Sequence, residues 1–286
     1  MAEAVKTLLH DIGGLISLPE VVLKINEMVN SDDAGSAEIA QVISQDPAIS
    51  TRILRVANSA MYGGARQVET IHTAVTLLGT KQIRDLVLST TAAHIFDGIS
   101  NDVISVEDFW HHSLYVGLLA RELAHLSKKV NAETMFTAGL LHDIGHLVMF
   151  NQVPEQAQAA ILRTIQGEAS VDLYEAEREI LGYDHAEVGA SLAREWHLPE
   201  VLVHCIGYHH ELQAEQDFKE AVAHIHIANV IASLPYSDIP AAEDLARIDE
   251  QAWELAGLTP DGIGEAIQKA CSQITETQQA IFEQES

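Results

Sequence analysis

The spacing of apolar residues constrains this chain more than any other feature. They recur three and four apart in VVLKINEMV, IAQVI, ISTRILRVA, LYVGLLARELAHL and AGLLHDIGHLVMF. That period gathers them on one face of a 3.6-residue turn, whereas a half-buried strand needs strict alternation. Sustained alternation is hard to find, so the expected fold class is all-α, a multi-helix bundle. The spacing predicts helices near 18–30, 36–44, 46–59, 70–78, 80–96, 105–127, 132–150, 154–167, 172–181, 185–197, 199–210, 217–234 and 260–283. Asp46 before Pro47 supplies a helix start, and Ser105 and Asp184 stand three residues ahead of Asp108 and Glu187 in the manner of a capping box. Gly79 and Gly182 are the expected stops.

With 286 residues the chain can bury a full core as one large or two modest domains. The polar, turn-rich stretch DGISNDVIS at 97–105 is the expected joint. It separates a helical N-terminal subdomain, 1–100, from a second helical subdomain, 101–240, with a C-terminal helical extension over 241–286. The acidic, proline-bearing stretch 235–260 is expected to wrap the surface. In the last helix Ile263, Ile267, Cys271, Ile274 and Ile281 fall near one face; packing on its own domain is the default and a homodimer seam the alternative. Asn58-Ser59 with Tyr62-Gly63-Gly64 forms a helix end and turn, with a partner-facing surface as the alternative reading.

Lys plus Arg number 16 against 42 for Asp plus Glu, a net charge of -26. Such a surface repels phosphate backbones, and no basic patch larger than Lys128-Lys129 or Arg52/Arg55 offsets it, so nucleic-acid binding is not expected. The segment MAEAVKTLLHDIGG lacks the pattern of a signal peptide and no apolar run suggests a membrane span. Two unclustered cysteines, Cys205 and Cys271, fit a reducing compartment. A cytoplasmic protein is expected.

Twelve of the 15 histidines fall between His111 and His226. In order they give His112 in FWHHS, His142-Asp143 in GLLHDIGH, His185 in DHAEVG, His209-His210 in YHHE, and His224 and His226 leading to Asn229 in HIHIAN. Each group lies on a separate expected helix, so a bundle can aim them at one point. Imidazoles with a carboxylate suit iron, manganese, zinc or nickel, and a central aspartate can bridge two ions. On one continuous helix His142 and Asp143 would stand about 100° apart and flank an ion. Without a metal, the pair would be a buried, mutually hydrogen-bonded element of helix packing. His111, His125, His197 and His204 are expected to be surface or core residues. The sequence LLHDIG occurs at 8–13 as well as at 140–145; the first copy has no second set of histidines nearby and is taken as coincidence.

The series His, His-Asp, His, His-His resembles the HD superfamily of metal-dependent phosphohydrolases. LPEVVLKINEMVN, ISQDPAISTRILRVANSAMYG and IHTAVTLLGTKQIRDLVLS resemble the HDOD family, over about residues 15–235. The resemblance implies a helical N-terminal subdomain packed on an HD-type helical subdomain, serving as a regulatory or output module in bacterial signalling. It also implies that His112, His142 and Asp143 hold one divalent ion, and His185, His209 and His210 a second, with Asp143 bridging. The position of a further aspartate is taken by Asn229, which offers a neutral oxygen. His146 stands where cyclic-dinucleotide-cleaving relatives carry lysine, and their glycine-tyrosine-proline motif is missing.

The leading expectation is therefore a signalling module with weak or absent catalysis, partnered by signalling proteins and a small phosphorylated ligand. The alternatives are a working metal-dependent phosphohydrolase, with Asp143 as its catalytic residue, and a di-iron redox or oxygen sensor.

Overall fold

The computed structural model describes all residues except 1, 13–15, 32–33, 63–66, 97–103, 167–170, 216, 235–239 and 283–286. Among the described residues the regular structure is helical, with no strand. The first half contains α1 (Ala2–Ile12), α2 (Glu20–Asn30), α3 (Ser36–Ser44), α4 (Pro47–Ala57), α5 (Ile71–Leu78) and α6 (Thr80–Ile95). Then follow α7 (Val106–Ser127), α8 (Ala132–Leu141), α9 (Ile144–Gln152), α10 (Pro154–Gln166), α11 (Leu173–Leu181), α12 (His185–Glu195), α13 (Glu200–Tyr208) and α14 (Lys219–Ala232). A short α15 (Ala242–Leu245), α16 (Glu250–Ala256) and α17 (Gly264–Phe282) complete the chain.

The expected caps are in place. Asp46, Ser105 and Asp184 accept from the backbone N–H groups of Ile49, Asp108 and Glu187, which satisfies donors that a helix start leaves open. Gly79 and Gly182 end α5 and α11 at φ values of 86° and 82°, a region that a side chain disfavours. Most of the expected joint at 97–105 lies outside the described residues, as do Gly63 and Gly64.

Two expectations need correction. No helix was expected before residue 18, yet α1 buries Val5, Leu8 and Leu9 and packs against α9 and α12. Those residues stand at i, i+3 and i+4, so the first LLHDIG copy is read through its leucines; its His10 is exposed. Within the stretch 235–260, the residues from 240 onward do more than wrap the surface. Asp249 caps α16, whose Ala252, Trp253 and Ala256 are buried against α14.

The core is built around α7, which is buried nearly all round from Ser113 to Ala124, as a helix central to a large fold must be. It crosses α8 in backbone contact: a Cβ on Gly139 would stand 2.7 Å from the Gly117 Cα. The last helix packs on α7, α4 and α6, joining the two halves of the chain. A buried polar network reinforces that joint. The Tyr62 hydroxyl donates to Glu133 at 2.5 Å, and Arg121 Nε donates to the other oxygen of the same carboxylate at 2.9 Å. The Tyr62 hydroxyl is thus tied into the joint. Asn58, at the end of α4, is tied to the backbone of Val68 through both its amide nitrogen and its oxygen.

Candidate metal centre

The single helix expected over 132–150 is broken, and the break falls on the chemistry. α8 ends at Leu141 and α9 begins at Ile144. His142 caps the first helix, and Asp143, at φ -104° and ψ 10°, starts the second. His142 and Asp143 therefore sit in a turn between two helices and do not stand side by side on one helix. The His142 Nδ1 lies 2.7 Å from the Gly139 carbonyl, which satisfies one of the open acceptors at the end of α8. Its other nitrogen faces Asp143 Oδ2 at 3.1 Å.

Close helix contact delivers His185 to the same point. A Cβ on Gly145 would stand 1.9 Å from the His185 carbonyl oxygen and 2.7 Å from the Gly189 nitrogen. Only glycine permits α9 and α12 to approach so closely. His185, the first residue of α12, then sets its Nε2 3.4 Å from Asp143 Oδ1. His209 and His210 follow the end of α13. His209 Nε2 lies 3.4 Å from Asp143 Oδ1, and His210 Nε2 lies 2.9 Å from His185 Nε2. From α7, His112 Nε2 lies 3.8 Å from Asp143 Oδ2 and 3.1 Å from Asn229 Oδ1 of α14. The other six residues singled out in the sequence thus gather around the Asp143 carboxylate, Asn229 through its contact with His112.

They form two groups sharing Asp143: His112 and His142 on one side; His185, His209 and His210 on the other. Within each group one candidate ligand atom per residue lies within 4.8 Å of the rest. The orientation of the rings matters as much as their proximity. The Nδ1 atoms of His142, His209 and His185 are engaged by the Gly139 carbonyl, the Ile206 carbonyl and Glu177. Such contacts fix the tautomer that turns Nε2 toward a metal. Buried and without a hydrogen-bond partner are His142 Nε2, His209 Nε2 and Asp143 Oδ1. An unsatisfied buried polar atom costs roughly 1 to 3 kcal/mol, and here three converge. An ion in each group would satisfy them, one at His142 Nε2 and the other at His209 Nε2 and Asp143 Oδ1, so the donor set fits metal binding.

The electrostatics agree. Burial would raise the Asp143 carboxyl, but His142 and His209 beside it hold it well below the usual carboxylate range. Burial pushes His209 down to about 4, which leaves a neutral imidazole able to donate a lone pair. His210 is lowered for the same reason and by its neighbour His209. His185 is the exception. Burial works against its charge, but Glu177 lifts it to about 9.

The groups open into a cleft of about 500 Å³ lined also by His146, Tyr174, His226, Val230, Ser233 and Arg247. Tyr174 stacks on His210, with ring centroids 4.7 Å apart. Of the histidines set aside in the sequence, His111, His125 and His197 are exposed, and His204 is bound to Glu215 at 2.6 Å. Sequence reasoning missed Glu177. Its signal was an acid between Leu173 and Leu181 at four-residue spacing, where an apolar residue would be expected.

A family model of the HDOD domain matches residues 15–212. The chain belongs to the HDOD family. Among solved structures, this HDOD chain is similar to a protein of Shewanella amazonensis SB2B assigned provisionally to the phosphohydrolases, at 29% identity, a TM-score of 0.76 and coverage of 96% and 97% of the two chains. An HDOD domain protein of unknown function from Geobacter sulfurreducens shares the fold, at 24% identity, a TM-score of 0.75 and 99% coverage of both chains. An uncharacterized Treponema pallidum protein is 28% identical over 236 residues, 80% of this chain. The HDOD chain spans 45% of that relative's length. No helix among its described residues is long and apolar enough to cross a membrane.

Proposed function

We propose that this chain is a regulatory module of bacterial signal transduction, built on an HD-like metal pocket and a helical surface for another protein, with weak or absent catalysis. The observation that carries the reading is the convergence on Asp143 of the Nε2 atoms of His112, His142, His185 and His209, with buried nitrogens left open for an ion. His185, His209, His210 and Asp143 would hold one ion. His112, His142, the other Asp143 oxygen and the neutral Asn229 would hold a second, more weakly, because an amide oxygen carries no charge. Nitrogen-rich donors suit iron, manganese, zinc or nickel. When bound, the metal supplies Lewis-acid attraction for a phosphate or carboxylate oxygen.

Two features support a binding role over turnover. Asn229 weakens the side of the centre nearest His112. Arg247, exposed at the rim, is the one arginine or lysine among the described residues of the cleft lining, so little beside the metal neutralises charge developing on a phosphoryl group. A small phosphorylated ligand held by the metal and Arg247 fits that arrangement, with its arrival communicated through α7 and α17 to the N-terminal helices.

The second reading, a working phosphohydrolase, is favoured by the carboxylate shared between two donor groups. Hydrolysis of cyclic dinucleotides and of a generic phosphodiester by manganese- or iron-loaded protein separates the two. Turnover near background is expected for the wild type, with second-ion occupancy rising in Asn229→Asp. Sustained turnover in the wild type that disappears in Asp143→Ala overturns the signalling reading. A di-iron sensor would instead carry two iron equivalents with a visible absorption band.

The pH dependence of metal uptake follows from His185. Below its raised value of about 9 the metal-free ring carries an extra proton, which an ion binding at Nε2 must displace. Affinity is therefore expected to climb about tenfold per pH unit, roughly 100-fold between about pH 6 and 8, and to level off as His185 becomes neutral unaided. His209, already neutral above about 4, adds no slope in that range. Zinc titration with a competing chelator measures it; a flat profile contradicts the assignment of His185 as a ligand.

A further inference from the structure

Glu177 belongs to neither donor group facing Asp143, yet it is only 2% exposed. A carboxylate so deeply buried must be satisfied by its neighbours. Its Oε2 accepts from the His185 backbone N–H at 3.0 Å and lies 2.6 Å from His185 Nδ1. Its Oε1 lies 3.2 Å from His146 Nδ1. The two imidazoles it touches are stacked on each other, with centroids 3.8 Å apart and planes 20° from parallel, and His146 rests in turn on Phe150. One carboxylate thus addresses a candidate metal ligand and a wall residue of the cleft.

His146, Glu177 and His185 are also close enough to hold an ion of their own, so two readings compete. A third ion would require His185 to give both ring nitrogens to metals, Nδ1 here and Nε2 toward Asp143, and so to lose both protons. Ligand atoms bonded to one zinc-like ion at about 2.0 to 2.2 Å normally stand roughly 3 Å or more apart. The 2.6 Å between Glu177 and His185 Nδ1 is instead the distance of a charge-assisted hydrogen bond. The same oxygen already accepts from the backbone. The contact has the geometry of a hydrogen bond and not of two ligands on one ion.

We infer that Glu177 is a positioning residue: it holds the proton of His185 on Nδ1, so that Nε2 faces Asp143 and the metal, and keeps His146 stacked beside it at the cleft wall. The inference rests on the metal-binding reading above and adds to it the residue that orients one ligand from outside the coordination sphere.

Glu177→Gln tests it at constant shape. The amide keeps one acceptor oxygen but puts a donor where the second oxygen was, and removes the charge. Outer partners of this kind are worth about 10- to 100-fold in metal affinity. Cobalt(II) titration is expected to show a loss in that range for the tighter ion and a changed visible spectrum, while far-UV circular dichroism of the metal-free variant is unchanged. A purely structural glutamate would leave the cobalt spectrum of the folded variant as it was. Long-range proton–nitrogen correlation on zinc-loaded wild type decides the matter independently of any variant: His185 is expected to carry its proton on Nδ1. Affinity within twofold of wild type, a proton on His185 Nε2, or a third metal equivalent lost in Glu177→Gln would each overturn the inference. Wild type that takes up no metal at all refutes the metal reading itself, and this inference with it, whereas wild-type loading with an unaffected variant refutes this inference alone.

Discussion

Replacing Asp143 by alanine is expected to abolish metal loading while leaving a folded, helical protein. Its two oxygens face different donor groups, His112 and His142 through Oδ2, His185 and His209 through Oδ1. Loss of the carboxylate removes the one anionic ligand from both groups at once. Outer-sphere partners are worth about 10- to 100-fold in affinity, so a shared inner ligand is expected to be worth more than 100-fold. The fold is expected to survive, because the side chain lines a cleft and not the packed core between helices, and its backbone conformation needs no aspartate. Elemental analysis together with circular dichroism checks both halves of the expectation. A variant that keeps wild-type metal content would mean the ion, if any, sits elsewhere.

Gly145→Ala is expected to have the opposite character: a large loss of stability that takes the site with it. The added methyl group would fall 1.9 Å from the His185 carbonyl oxygen and 2.7 Å from the Gly189 nitrogen. Both are backbone atoms and cannot swing aside as a side-chain end could. Overpacking of a core typically costs about 1 to 3 kcal/mol and sometimes more; with two backbone atoms in the way, about 3 kcal/mol or more is expected. Any relief must part α9 from α12 and so draw Asp143 away from His185. Urea denaturation of the metal-free protein and cobalt affinity should therefore fall together. A stable variant with normal affinity would show that the close approach of these helices does not set the geometry of the centre.

The period of apolar residues carried most of the fold, because it is a local signal repeated in every segment and reinforced by caps such as Asp46, Ser105 and Asp184. It failed where local and global information part. Through 132–150 the apolar run is continuous, and nothing in AGLLHDIGHLVMF marks the turn at His142-Asp143. That break is capped locally by His142 on the Gly139 carbonyl and held by α12 lying on Gly145, and the second contact is tertiary. Helix α1 was legible in Val5, Leu8 and Leu9 but hidden by the repeat that drew attention to His10.

In the site, histidine is rare enough that a cluster of groups announces itself, and the five histidines and Asn229 named from sequence do meet around Asp143. Glu177 did not announce itself, because this chain carries 42 acidic residues and only burial separates this one from the solvated majority. The roles of Tyr174 and Arg247 at the cleft likewise depend on how α11 and the segment after α15 fold across the bundle, which no local spacing encodes.

The proposed function depends on a metal held by Asp143 and the surrounding imidazoles. Elemental analysis of the untagged protein, purified without chelators near pH 8, tests it most directly. At least one equivalent of a transition metal per chain is predicted, retained through gel filtration and absent from Asp143→Ala. A wild-type chain that emerges empty and takes up neither zinc, manganese nor iron on titration would contradict the account.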